Sequence, residues 1–133
     1  MKAVLILGST SDEAFARRIT DRLDTLGVAW DVHVCSAHKR TRELLDLLDS
    51  HASERALVYV TVAGRSNALS GVVAAHSRFP TIACPPFRDQ LDMLVNVHSS
   101  LQMPSATPVL TVLDPGNCAE AAARILALAA PRA

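Results

Sequence analysis

Short apolar runs that end in small polar loops alternate with amphipathic stretches along this chain, and that alternation leaves few folds open. Lys2 to Leu7 is a compact apolar run closed by Gly8, and Asp12 to Leu26 then carries Phe15, Ile19, Leu23 and Leu26 at helical spacing. The pair reads as a strand feeding a helix. Thr10 and Glu13 fit a capping box at the helix start, and Gly27 fits a stop just past its last apolar position. Ala29 to Cys35 reads as a second strand, and Thr41 to Ala52 as a helix with Leu44, Leu45, Leu47 and Leu48 on a broad stripe. Ala56 to Ala63 is β-branched and almost wholly apolar, as a central parallel strand buried on both faces requires.

The pattern continues beyond the polar break at Gly64 to Asn67. A small-residue helix is expected from Ala68 to Ser77, packing through Leu69, Val72 and Val73, and a short strand from Pro80 to Cys84. Pro85-Pro86 forces a loop, because proline lacks an amide donor and restricts the residue before it. Asp89 to Leu101 reads as a fourth helix and Val109 to Leu113 as a fifth strand, and Asn117 with Glu120 is expected to open an alanine-rich helix to Ala129. Five such units predict a single domain over 1–133, a three-layer α/β/α sandwich around a parallel five-stranded sheet.

Composition narrows the function classes. With 50% hydrophobic and 20% charged residues, 133 residues can bury a core without disulfide or metal staples, which excludes disorder. Thirteen basic and thirteen acidic side chains cancel, so neither nucleic acid nor anionic lipid is an expected partner. No apolar run approaches the roughly 18–20 residues that span a bilayer, and Met1 to Leu7 is too short for a signal-peptide core. A cytoplasmic protein is expected. Cys35, Cys84 and Cys118 form no Cys-x-x-Cys pair and read as reduced, buried thiols, while His33, His38, His51, His76 and His98 show no ligand-like local spacing. No metal site is expected.

In open parallel sheets, ligands gather outside the carboxyl ends of the strands, where the strand order reverses. The loops there are Gly8-Ser9-Thr10-Ser11-Asp12, Ser36-Ala37-His38-Lys39 and Ala63-Gly64-Arg65-Ser66-Asn67. Gly8 lets backbone approach a ligand closely, and the hydroxyls of Ser9, Thr10 and Ser11 precede a helix start that favours an anion such as phosphate. Thr10 or Ser11 would serve equally well as a plain helix cap. Asp12 suits a helix start and could also accept hydrogen bonds from ribose hydroxyls. Lys39 offers a cation for a phosphate and Ser36 another hydroxyl, while His38 is the candidate acid/base.

These three motifs, in this order and spacing, resemble those of PurE proteins of purine biosynthesis, as do Cys84-Pro85-Pro86 and Ser99-Ser100-Leu101-Gln102-Met103-Pro104-Ser105. The resemblance covers nearly the whole chain. PurE proteins fall into two classes: one moves a carboxylate within N-carboxyaminoimidazole ribonucleotide, and the other fixes carbon dioxide directly onto aminoimidazole ribonucleotide (AIR). The first class typically carries Gly-Gly-Ala-Ala-His-Leu-Pro-Gly in the third motif. Here that stretch is Gly64-Arg65-Ser66-Asn67-Ala68-Leu69-Ser70-Gly71, which is similar to the direct carboxylases, and Lys39 stands where the mutases usually have arginine.

The resemblance implies a flavodoxin-like fold, a homo-octamer, and AIR, carbon dioxide and carboxy-AIR as small-molecule partners, without metal, ATP or another cofactor. It implies that Ser9, Asp12, Ser36 and Lys39 hold ribose and phosphate, that Gly64 and Ser66 line the pocket beside the imidazole, and that His38 is the catalytic acid/base. Gly8, Ser11, Ala63, Arg65 and Asn67 would shape the pocket. Arg40-Thr41 departs from the Gly-Pro or Thr-Pro that often follows the second motif, and adds a charge near the proposed phosphate site.

Other readings keep the fold and change the chemistry. The mutase reaction, or a PurE-like paralogue with another substrate, would preserve the phosphate grip. A flavin-binding electron carrier would also use a hydroxyl-rich first loop, but the second and third loops offer no Trp or Tyr for a flavin ring. A phosphorylatable receiver domain needs an acidic cluster after the first strand and an aspartate ending the third, and positions 8–11 and 60–63 lack both.

Overall fold

The computed structural model describes residues 1–130. The chain runs β1 (Lys2–Leu7), a 3-10 turn (Thr10–Asp12), α1 (Glu13–Thr25), β2 (Trp30–Val34), α2 (Thr41–Ser50), β3 (Leu57–Val62), α3 (Ala68–His76), β4 (Thr81–Ala83), α4 (Gln90–Leu101), β5 (Leu110–Thr111) and α5 (Pro115–Leu128). All strand pairs are parallel and the sheet order is β2-β1-β3-β4-β5. This is the flavodoxin-like three-layer arrangement, and its order reverses between β1 and β3. The carboxyl ends of those two strands therefore open a crevice that no crossover covers.

The sheet is coated on both faces, which explains its apolar central strands. Ala3, Leu5, Leu7, Val58, Val60 and Val62 pack against α1 and α5 through Ile19, Leu23, Ala119 and Ala122. Val4, Ile6 and Tyr59 face α2 and α3 through Leu44, Leu48, Leu69 and Val73. Each fully buried Val, Leu or Ile stabilises the fold by about 1.5–3 kcal/mol, so β1 and β3 are its thermodynamic spine. All three cysteines are buried free thiols, as expected. No helix among the described residues is long and apolar enough to cross a membrane.

Several element boundaries differ from the expectations by a residue or two, and three differences have a clear physical cause. The first capping box is Ser9 with Asp12, not Thr10 with Glu13, because a 3-10 turn precedes α1 and moves the cap one residue back. The last helix starts at Pro115 under an Asp114 cap, ahead of Asn117 and Glu120; proline at a first helical position has no amide to lose. At the sheet edge, β5 keeps only Leu110–Thr111, and the Leu110 side chain is exposed, so little burial holds a longer strand there. Gly27 does end α1 region as expected, with a left-handed φ of 68°.

Helix α4 inverts the usual amphipathic rule. Its buried residues are polar, Asp92, Asn96 and Ser100, while Leu91 is 73% and Leu94 54% exposed. The buried side anchors the loops of the crevice.

Candidate active site

The crevice between β1 and β3 holds a cavity of roughly 350 Å³ walled by the three loops singled out above. Gly8, Ser9, Ser11 and Asp12 come from the first, Ser36, Ala37, His38 and Lys39 from the second, and Ala63, Gly64, Arg65 and Ser66 from the third, with Leu69 of α3 added. Strand register brings them together. The Gly8 amide donates to the Val62 carbonyl at 2.9 Å and the Cys35 amide to the Leu7 carbonyl at 2.9 Å, so the three strands end level. At Gly8 a Cβ would stand 3.3 Å from the Ala63 Cβ, so the close approach of the first and third loops favours a residue without one.

The first loop is held by its own hydroxyls. Asp12 Oδ2 accepts from the Ser9 amide at 3.1 Å, Ser9 Oγ accepts from the Ser11 amide at 3.2 Å, and Ser11 Oγ donates to Ser9 Oγ at 3.0 Å. The cap is Ser9, not Thr10 or Ser11, and Ser9 also lines the cavity. Desolvation pushes the Asp12 carboxyl above its ordinary range, against the lowering effect of the Ser9 amide. In the second loop the Lys39 amide approaches Ser36 Oγ at 3.4 Å, and the His38 and Lys39 side chains stand exposed at the mouth.

Asn67 is not in the cavity wall. It is buried beneath it as the cap of α3: Oδ1 accepts from the Ser70 amide at 3.1 Å, while Nδ2 donates to Ser70 Oγ at 2.8 Å and Ser100 Oγ at 3.0 Å. The Asn67 amide donates to Ser99 Oγ at 2.7 Å, and Thr61 Oγ1 lies 2.7 Å from Ser70 Oγ. This network fixes the third loop against α4.

A second concavity, of roughly 520 Å³, shares Ser11, Asp12, Gly64 and Arg65 with the first and extends to Phe87, Arg88, Asp92 and Asn96. Arg65 Nη2 meets Asp92 Oδ1 at 3.1 Å, and Arg88 meets Asp92 Oδ2 through its amide at 3.1 Å and its Nε at 3.3 Å. The Arg88 amide and guanidinium, with Arg65 adding charge, hold the Asp92 carboxyl below its ordinary range. The sequence reading missed this rim. Its one signal was that Pro85-Pro86 ends β4 on the same side of the sheet as the other loops.

The arrangement matches known proteins over almost its whole length. A family model described as AIR carboxylase matches residues 2–133. The chain belongs to the AIR carboxylase family. It is 41% identical to the phosphoribosylaminoimidazole carboxylase of Archaeoglobus fulgidus over 96% of this chain and 70% of that protein. To the Treponema denticola protein of the same name it is 40% identical, over 94% and 79% of the two chains. A crystal structure of Treponema denticola PurE superposes with a TM-score of 0.87 at 39% identity, covering 95% of this chain and 80% of that one. Within this AIR carboxylase family member, the cavity at the sheet's switch point is the place where chemistry is possible on physical grounds: concave, polar on three sides and next to a titratable imidazole.

Proposed function

We propose that the chain is an AIR carboxylase that joins carbon dioxide reversibly to AIR, giving carboxy-AIR for purine synthesis, and that residues 1–133 act as one unit. The observation that carries this reading is the single cavity in which His38, Lys39, Asp12 and the serine hydroxyls of three separate loops converge. Ser9, Asp12, Ser36 and Lys39 together hold the ribose and phosphate, with Asp12 accepting from ribose hydroxyls and Lys39 supplying a cation for the phosphate. Gly64 and Ser66 flank the imidazole, and Gly8, Ser11, Ala63 and Arg65 set the shape of the walls.

The chemistry needs neither metal nor ATP. AIR is an enamine, and the ring carbon beside the amine-bearing carbon is already nucleophilic. That carbon attacks the carbon of carbon dioxide, a new carbon–carbon bond forms, and one C=O π pair moves onto oxygen as a carboxylate. The same ring carbon then gives its proton to His38, which restores the aromatic imidazole. In reverse, His38 returns the proton and the carboxylate leaves as carbon dioxide. Carbon dioxide offers few handles, so rate comes from holding it against the ring in a pocket with apolar patches at Ala37, Ala63 and Leu69. Backbone amides near Ala63 and Gly64 stabilise the developing carboxylate.

The exposed apolar side of α4, with Leu91, Leu94 and Leu101, supports assembly of the chain into a homo-oligomer, an octamer by resemblance. A phosphorylated substrate does not cross membranes unaided, which supports a cytoplasmic activity. Ultraviolet spectroscopy of the protein with carboxy-AIR, and in parallel with the N-carboxy isomer, tests the reading. Decarboxylation of carboxy-AIR without conversion of the isomer is expected. Interconversion of the isomer would make the protein a mutase, and inactivity on both would reject the proposal.

A further inference from the structure

Away from the crevice, the fold assembles a cluster that local spacing conceals. Asp31 and His33 alternate along edge strand β2, so both project on the α2 side of the sheet, paired in register with Val4 and Ile6 of β1. His51 arrives from the carboxyl end of α2, only 8% exposed. One ligand atom from each of Asp31, His33 and His51 lies within 4.8 Å of the others, and the two imidazoles are 6.1 Å apart between centroids. None of the three lines the catalytic cavity.

We propose that Asp31, His33 and His51 form a binding site for a divalent transition ion of the zinc or cobalt type. The donor set, two imidazoles and one carboxylate, suits such borderline cations better than magnesium or calcium, which prefer all-oxygen sites. His33 Nε2 is fully buried and has no hydrogen-bond partner, a cost that a bound cation would remove. His51 has a hydrogen-bond partner on one ring nitrogen, as metal-binding histidines do. Its Nδ1 lies 3.3 Å from the Tyr59 hydroxyl, leaving the other ring nitrogen to ligate.

Asp31 is shared with Lys2, whose Nζ stands 2.7 Å from Oδ2. The second carboxylate oxygen remains for the ion. Glu54, 3.5 Å from the same ammonium, can retain Lys2 when Asp31 turns inward. Tetrahedral zinc with bonds of about 2.0–2.1 Å sets ligands roughly 3.4 Å apart, so the three side chains need to close by about an ångström. Three protein ligands leave one coordination position for water. The site lies at mid-strand, away from the carboxyl ends of the sheet, and so joins β2 to the end of α2 without touching the reacting nucleotide.

Metal-free full-length protein titrated with cobalt(II) alone tests the site, because tetrahedral nitrogen/oxygen coordination gives visible bands that octahedral aqueous cobalt lacks. One cobalt per chain is expected, displaceable by zinc, with a rise in melting temperature as the ion is added. His33→Gln, on the edge strand, should weaken binding by about 100-fold or more and abolish the melting shift while leaving decarboxylation unchanged. His51→Gln should do the same to binding. No bound cobalt, binding unaltered in His33→Gln, or a thiolate charge-transfer spectrum from the cysteines would each overturn the proposal.

Discussion

The side-chain amide of Asn67 donates to the Ser100 hydroxyl at 3.0 Å, tying the loop after β3 to the last turn of α4 across 33 residues of sequence. That contact belongs to a network in which Asn67 also caps α3 and the Asn67 amide reaches Ser99. Replacing Asn67 by Ala removes the cap and strands buried partners, so Asn67→Ala should lose about 2–4 kcal/mol by urea denaturation. Ser100→Ala, which removes the bond from Asn67 and the one that Ser100 Oγ donates to the Asn96 carbonyl, should lose about 1–2 kcal/mol. Equal costs for the two would contradict the network.

Gly8 tests the closeness of the first and third loops. A Cβ there would stand 3.3 Å from the Ala63 Cβ, in a tight but not impossible contact. Gly8→Ala should destabilise by about 1–2 kcal/mol as the neighbours give way, and weaken nucleotide binding measured by calorimetry. Wild-type affinity in that variant would show that the cavity does not need this approach.

Asp12 is expected to cost stability in return for its proposed role in binding. Burial raises its carboxyl above the ordinary range, so the folded state holds this proton more tightly than the unfolded state. The ionised carboxylate therefore opposes folding at neutral pH, and the opposition is relieved as pH falls through the raised value. Asp12→Asn keeps an oxygen for the Ser9 amide, so thermal stability at neutral pH should be equal or higher, while AIR affinity falls. A variant that melts earlier and binds normally would reverse the assignment.

Asp92 has the opposite sign. The Arg88 amide and guanidinium depress its carboxyl, so its contribution to stability is complete above the unfolded-state value and fades as pH drops through the folded one. Acid titration of melting temperature should fall more gently in Asp92→Asn than in the wild type, the two curves converging at the acid end. Parallel curves would show that Asp92 contributes no such linkage.

How much of this was legible in the sequence follows from the range of the interactions. β3 was readable because its six consecutive buried side chains, all apolar but Thr61, leave a nearly unbroken run, and the three loops because each sits where such a run stops. Short-range chemistry was nearly readable: the first cap moved by one residue because the 3-10 turn before α1 has no distinctive spacing. Contacts between distant segments were not. Asn67 read as a pocket residue because Ser99 and Ser100 lie over 30 residues away, and Arg65 gave no hint of its pairing with Asp92. The Asp31, His33 and His51 cluster was hidden for the same reason, since the end of α2 must fold back over β2 to form it.

The central claim is that His38 carries the proton of the carboxylation while other residues hold the nucleotide. The most direct measurement compares wild type and His38→Asn for decarboxylation of carboxy-AIR and for calorimetric binding of AIR. The account predicts that turnover falls by about 100-fold or more, as expected for loss of an acid/base group, with AIR affinity changed by less than about threefold. Substantial turnover in His38→Asn would contradict it.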